Sequence, residues 1–303
     1  MKSLFQYRLV AVLLLIIIGN GVAGDNPAQS GFAFLKLGAG SRSAGMGEAM
    51  TAIVADASGT YWNPAGLAQM NGTELHFTHN KWLQGIANEF VAVGFRFGTN
   101  ALGLSFMSNT ITGIERRTQA STEPLATLST HDILFGLSFA RNWGSRVTYG
   151  VTLKYLYQKI YIESSNGIAA DIGLQYQLPI AGLKAGLALQ NWGYVTAMKN
   201  EKPRLPQTIR LGLGYFLAVP GGNLIAAMDW VKIVDSSSHL NFGLEYNLMK
   251  YLSLRTGYQT GFNDKGMQVG IGLRVERYGL DYAYVPFASD LGNSHRVSVK
   301  IGL

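Results

Sequence analysis

The side chains that carry most catalytic and metal chemistry are few in this sequence, and they are poorly spaced for it. There are five histidines and no cysteine, which excludes disulfides and thiolate metal sites. His76 and His79 stand three apart. On a strand they point to opposite faces and cannot share a metal as an i, i+3 helical pair does. His131, His239 and His295 are scattered. Asp290, Ser294 and His295 gather near the C-terminus, but no nucleophile elbow joins them into a serine–histidine–acid arrangement. Gly38-Ala39-Gly40 lacks the third glycine and the preceding strand of a dinucleotide fingerprint. No enzymatic activity, cofactor or metal is expected.

What does stand out is a glycine-rich run, "GAGSRSAGMGEAM", followed by Asp56–Met70, "DASGTYWNPAGLAQM". Gly38, Gly40, Gly45 and Gly47 permit close packing and positive φ. A short helix is expected over Ala44–Ala55. Asn63 is placed to cap a second one that Pro64 opens at its first turn, with Ala65 and Gly66 following. Tyr61 and Trp62 then serve as anchors beside Asp56. Such a segment needs a wall to pack against.

The rest of the chain supplies one. Val147, Tyr149, Val151, Leu153, Tyr155 and Tyr157 alternate with Thr148, Gly150, Thr152, Lys154 and Gln158. Ile168–Leu178, Leu240–Leu248 and Val297–Leu303 repeat the pattern, and period two means strands with one apolar and one polar face. Fourteen segments are expected: 73–80, 88–98, 100–109, 131–142, 146–160, 166–178, 182–191, 207–217, 222–233, 238–249, 251–260, 265–276, 278–287 and 293–303. Their lengths suit tilted membrane-crossing strands, and the even count suits a single-chain barrel. Connections alternate between tight turns, such as Thr99, Lys250 and Arg277, and longer loops, of which 111–130 and 192–206 are the longest. The polar face carries Lys154, Asp171, Gln175, Lys184, Arg210, Glu245, Arg255, Arg274, Asp281, Arg296 and Lys300. In a membrane barrel these line the lumen, and the apolar face meets lipid. Trp82, Trp192 and Trp230 fall near one rim, and Trp143, Tyr251 and Tyr278 near the other.

Composition agrees. Hydrophobic residues make up 48% and charged residues only 14%, yet no apolar run after residue 24 reaches the length of a spanning helix. Residues 1–24 read as a cleaved signal peptide: Lys2 and Arg8, then the apolar Leu9–Ile18, then small residues over Gly19–Gly24. Its removal lowers the formal charge of +7 by two. The remaining basic residues are spread singly, so no nucleic-acid partner is expected. The expected organisation is a signal peptide at 1–24, a plug or hatch at 25–70, and a β-barrel at 71–303 in the bacterial outer membrane.

The stretch "GAGSRSAGMGEAMTAIVADASGTYWNPAGLAQM" resembles the N-terminal signature of the PorV/PorQ family of outer-membrane proteins. "LPQTIRLGLGY", "LNFGLEY" and the C-terminal "GLDYAYVPFASDLGNSHRVSVKIGL" resemble its later strands. That family is related in fold to FadL-type long-chain fatty-acid channels, which share the element seen here as Asn63-Pro64-Ala65-Gly66. The resemblance implies an all-β, antiparallel, fourteen-stranded, FadL-like barrel with a small helical plug. It also implies a component of type IX secretion that receives exported proteins bearing a C-terminal sorting domain, or other secretion subunits.

Two functions follow. In protein handling, loops 111–130 and 192–206 offer contacts at Ile111, Ile114, Leu125, Leu128, Trp192, Tyr194, Val195 and Met198; the same residues also suit simple packing over the barrel mouth. In transport, the plug gates a hydrophobic small molecule, with a local pocket at Phe32, Phe34, Leu35 and Met46.

Overall fold

The computed structural model describes residues 31–119, 123–199, 201–234, 236–262, 264–288 and 292–303. The expected signal peptide and Asp290 lie outside them. Fourteen antiparallel strands form the wall: β1 (Thr73–Lys81), β2 (Ala87–Phe97), β3 (Asn100–Arg116), β4 (Ala126–Trp143), β5 (Val147–Ile160), β6 (Glu163–Gln177) and β7 (Leu183–Val195) make the first half. β8 (Thr208–Val219), β9 (Gly222–Ile233), β10 (Ser238–Leu248), β11 (Leu252–Gln259), β12 (Gln268–Val275), β13 (Tyr278–Pro286) and β14 (Asn293–Gly302) complete it. Each strand pairs with its sequence neighbours, and β1 pairs with β14, closing the barrel. An even count lets the closing pair run antiparallel, with Leu75 opposite Ile301 and Phe77 opposite Val299.

The two faces are inverted relative to a water-soluble protein. Outward side chains are apolar and exposed, as with Leu153 at 62%, Leu104 at 54% and Leu137 at 53%. Inward ones are polar and buried, as with Asp171 at 0% and Glu245 and Arg296 at 2%. Leaving so much apolar surface in water forfeits about 25 cal/mol per Å². A hydrocarbon surround removes that cost, while the charges pair inside.

Three strands run well past their expected ends. β3 and β4 continue to Arg116 and from Ala126, so most of 111–130 is a projecting hairpin and not a loop. β2 stops pairing at Ala87 opposite Thr110. Beyond that point Ile111, Thr112, Ile114, Thr127 and Thr130 sustain the local hairpin, because β-branched side chains suit a pleated ribbon. β7 likewise continues to Val195. A bulge opposite Asp171 is absorbed by Asn191 at φ 62, after which Trp192 pairs with Ala170.

Residues 31–72 lie inside the barrel. They comprise a 3₁₀ turn at Ala33–Lys36, a short helix at Ser41–Gly45, another at Gly59–Trp62 and a 3₁₀ helix at Pro64–Gln69. The helix expected over Ala44–Ala55 is therefore displaced: it ends at Gly45, and Gly47 then adopts φ +61 where it lies against the backbone of Phe242 and Tyr258. A Cβ there would meet Tyr258 N at 2.8 Å. At the seam, Ser298 of β14 hydrogen-bonds both Ser41 of the inner segment (2.8 Å) and Thr78 of β1 (2.8 Å).

Candidate functional site

The Asn-Pro pair is where the inner segment grips the wall. The Asn63 side-chain oxygen accepts from the Ala65 amide at 3.1 Å, capping the helix that Pro64 opens. Its amide nitrogen donates to Thr51 O at 2.8 Å and lies 3.2 and 3.3 Å from the carbonyls of Leu174 on β6 and Leu187 on β7. The wall leaves room by omission. A Cβ on Gly150 would sit 2.7 Å from the Pro64 carbonyl carbon, and one on Gly173 would overlap the Asn63 side chain. Gly66 packs as closely against Val54. Tyr61 and Trp62 tie the segment to itself: the Tyr61 hydroxyl donates to Leu35 O (2.9 Å), and the Trp62 indole donates to Ala39 O (2.8 Å). Gln190 of β7 donates to the carbonyl of Tyr61 at 2.7 Å, and the Arg210 guanidinium stacks on Trp62 at 4.9 Å. Burial pushes the Tyr61 phenol up.

A charged cluster holds the other side. Arg42 makes two contacts with Glu245 of β10, at 2.8 and 3.1 Å. Arg255 bridges Glu245 (2.5 Å) and Asp281 (2.6 Å), and Lys300 reaches Asp56 at 2.6 Å. Burial alone would push the Asp56 carboxyl up, but Lys300, His76 and Arg42 together hold it well below the usual carboxylate range. Burial likewise works against the Arg42 charge, and Glu245 and Asp56 outweigh it. Asp56, Glu74 and His76 bring donor atoms within 4.8 Å of one another. Lys300 already supplies the positive charge a metal would bring there. On the β9 side a single oxygen of Asp229 accepts from the amides of Met50 and Thr51 (3.0 Å each) and from the Thr51 hydroxyl (2.6 Å).

An apolar cluster lies within the interior against β2–β5. Phe32, Phe34 and Leu35 pack with the inward Phe90, Met107, Leu134 and Leu156. On the outside of those same strands runs a groove of about 780 Å³, lined by Leu104, Phe135, Leu153, Ile168, Trp192 and Tyr194 among others. The inward residues that line the groove are mostly small: Ser105, Gly136, Ala169 and Gly193. Lys154 lies there too, paired with Asp171 at 2.6 Å and with Asn191 of the bulge at 2.8 Å. A second cavity of about 640 Å³ opens at the long-connection end, beside Leu35, Trp82, Phe262 and Phe287.

A model of the uncharacterised protein family UPF0164 matches residues 17–303. The chain belongs to that family. No curated protein matches it in sequence. Among solved structures it is similar to the CymD monoaromatic hydrocarbon channel, at 14% identity and TM-score 0.63, over 88% of this chain and 96% of that one. It is also similar to the toluene transporters TbuX of Ralstonia pickettii (14%, 0.60, 87% and 97%) and TodX of P. putida (12%, 0.62, 88% and 99%). At such identities the likeness establishes the FadL-like barrel fold alone. The PorV/PorQ resemblance gains no support from these matches.

In this member of the family the inner motif assembles as one unit: Gly45, Gly47, Asp56, Tyr61, Trp62, Asn63, Pro64, Ala65 and Gly66 all contact the wall or the segment's own turns. The expected outer contacts do not form one surface. Ile111 and Ile114 lie on β3, Leu128 on β4, and Leu125 is 66% exposed just before β4. Trp192 and Tyr194 face outward on β7 and line the groove, Val195 is buried inside, and Met198 bridges to Glu201. Ser294 and His295 sit on opposite faces of β14, Ser294 on Asn80 and His295 on Tyr282. Sequence reasoning missed Arg42 and Asp229. For Asp229 a signal existed: it is a lone acid in the inward register of the apolar Ile225, Ala227 and Val231.

Proposed function

We propose that this chain is an outer-membrane channel for a hydrophobic small molecule, with residues 31–72 as its plug. One observation carries the reading: the outer groove is backed by Ser105, Gly136, Ala169, Gly193 and the paired Lys154, and the buried apolar cluster of Phe90, Met107, Leu134 and Leu156 lies on the inner face of β2–β5, strands that also line it. A molecule entering the cavity at the long-connection end would meet Leu35 and Leu37, with Phe32 and Phe34 buried in the apolar cluster beyond. It would leave into lipid between β3 and β7, where the bulge held by Lys154, Asp171 and Asn191 is the element to move. The structurally similar proteins are described as channels for monoaromatic hydrocarbons and toluene, which supports this class of substrate. Filling the groove from outside tests it. Ala170→Trp adds bulk to the lipid-facing side without touching the plug. Uptake of labelled toluene by cells expressing this variant should fall to the level of cells lacking the protein, at equal amounts of folded barrel. Equal uptake in wild type, variant and empty cells would refute the channel.

A second reading has one observation in its favour. The β3–β4 and β5–β6 tips expose Leu125, Ile160, Tyr161 and Ile162 (72%), which suits engagement of an exported protein, as the PorV/PorQ resemblance implies. Recovery of exported proteins sharing a C-terminal sorting domain, in a mild-detergent pull-down from outer membranes, would support it. A barrel carrying only lipid or other small molecules would end it.

A further inference from the structure

Reading outward positions strand by strand gives an almost unbroken apolar belt. At the short-turn end, among the described residues of the strands, one outward position is charged: Arg141 of β4, in register with Phe139, Leu137 and Phe135. It is exposed and makes no ion pair or hydrogen bond with another side chain among the described residues. Its neighbours across the sheet are Tyr149 on β5 and, one strand further, Leu174 on β6. Together with Trp143, Val147 and Thr99 these line a second external groove of about 670 Å³. Just below the groove the exposed Arg146 occupies the β4–β5 turn. Around the same rim lie the exposed Lys250 and Arg277, against one exposed acidic side chain, Glu276, among the described residues.

We infer that this groove is a binding site for an anionic phospholipid of the leaflet at the short-turn rim. A cation on a lipid-facing strand position is unfavourable unless it lies at the headgroup level or is neutralised. Arg141 satisfies both conditions if a phosphate diester sits on it. The guanidinium fork matches phosphate oxygens in two parallel hydrogen bonds. Trp143 and Tyr149 are the amphipathic rings that settle at an interface. Val147 and Leu174 continue the groove as an apolar track for the acyl chains. The cationic excess of the rim favours a headgroup with net negative charge over a zwitterion. The inference needs the barrel to sit in a bilayer but not to conduct anything, so its failure leaves the channel reading untouched.

Native mass spectrometry of the full chain in mild detergent, with equal amounts of phosphatidylglycerol and phosphatidylcholine, tests this directly. Wild type should retain phosphatidylglycerol preferentially. Arg141→Gln should lower that preference about fivefold, while Lys159→Gln, exposed at the opposite end of β5, should leave it unchanged. Folded barrel is scored by heat-modifiable gel mobility, and the wild-type competition needs no variant at all. Equal retention of the two lipids by wild type would overturn the assignment, as would an unchanged preference in Arg141→Gln. Displacement of the adduct by millimolar inorganic phosphate would place the affinity in the phosphate alone and overturn it too.

Discussion

Replacing Arg42 by methionine removes the one cation by which the inner segment is fastened to β10. The size of the effect follows from what is left behind. Breaking a buried ion pair costs about 3–5 kcal/mol when the partner is stranded without compensation. Glu245 is not stranded, because Arg255 remains on it at 2.5 Å. The loss is therefore closer to two charge-assisted hydrogen bonds, at 2.8 and 3.1 Å, each contributing about 1.5 kcal/mol. Methionine retains much of the apolar stem's packing, so about 3 kcal/mol is expected. If the segment's seated and released states exchange while the wall stays closed, the released fraction rises about a hundredfold. Planar-bilayer recordings of the purified protein would show this as more frequent open events at unchanged open conductance. Thermal unfolding of the wall, followed by gel mobility, should move little. Arg117→Met is the control, since its pair with Glu115 is exposed and such pairs contribute about 0–1 kcal/mol. An Arg42→Met protein as quiet as wild type would refute the assignment of Arg42 as a fastening. So would one whose wall unfolds together with its segment.

Three further outcomes follow from the same contacts. Asp229→Ala leaves the Met50 and Thr51 amides and the Thr51 hydroxyl without their acceptor; hydrogen exchange at those amides should accelerate by about two decades, corresponding to about 3 kcal/mol, and Asp229→Asn should lose less. Gly173→Val drives a side chain into Asn63 and Pro64; overpacking of this kind costs about 1–3 kcal/mol, read as a lower thermal midpoint and a smaller folded fraction. The Asp56 carboxyl has its pKa lowered, so its contribution is complete above the ordinary carboxylate value of about 3.9 and is lost as pH falls through the lowered one. Open events should therefore stay constant from pH 8 to pH 5 and rise only in stronger acid; a rise already between pH 7 and 5 would mean another group controls seating.

The wall was legible because its signal is local. Val147–Tyr157 announces its own period, and a tight turn such as Thr99 or Arg277 announces which end it occupies. The Asn63–Pro64 cap was legible for the same reason, since the cap and its acceptor amide are two residues apart. The fastenings were not. Arg42 meets Glu245 across 203 residues, and Thr51 meets Asp229 across 178; nothing in either neighbourhood names the other. The β7 bulge escaped as well, because it depends on Lys154 and Asp171 meeting Asn191 from two other strands. Period two cannot report a position where two residues oppose one.

The seam between β1 and β14 bears on how such a molecule is made. Thr78 and Ser298 stand 220 residues apart, and closing so long a loop is entropically slow even though its cost grows only with the logarithm of its length. Ser41 touches Ser298 and Asp56 holds Lys300 on the closing strand, while the Ala57 amide donates to Glu74 of β1 at 3.0 Å. The inner segment is thus attached to both ends of the sheet that must meet. Such contacts would let it serve as a mandrel, drawing the last strand and the first to the same core. A chain lacking residues 31–72 would lose the form on which its wall is wound, and not merely its stopper.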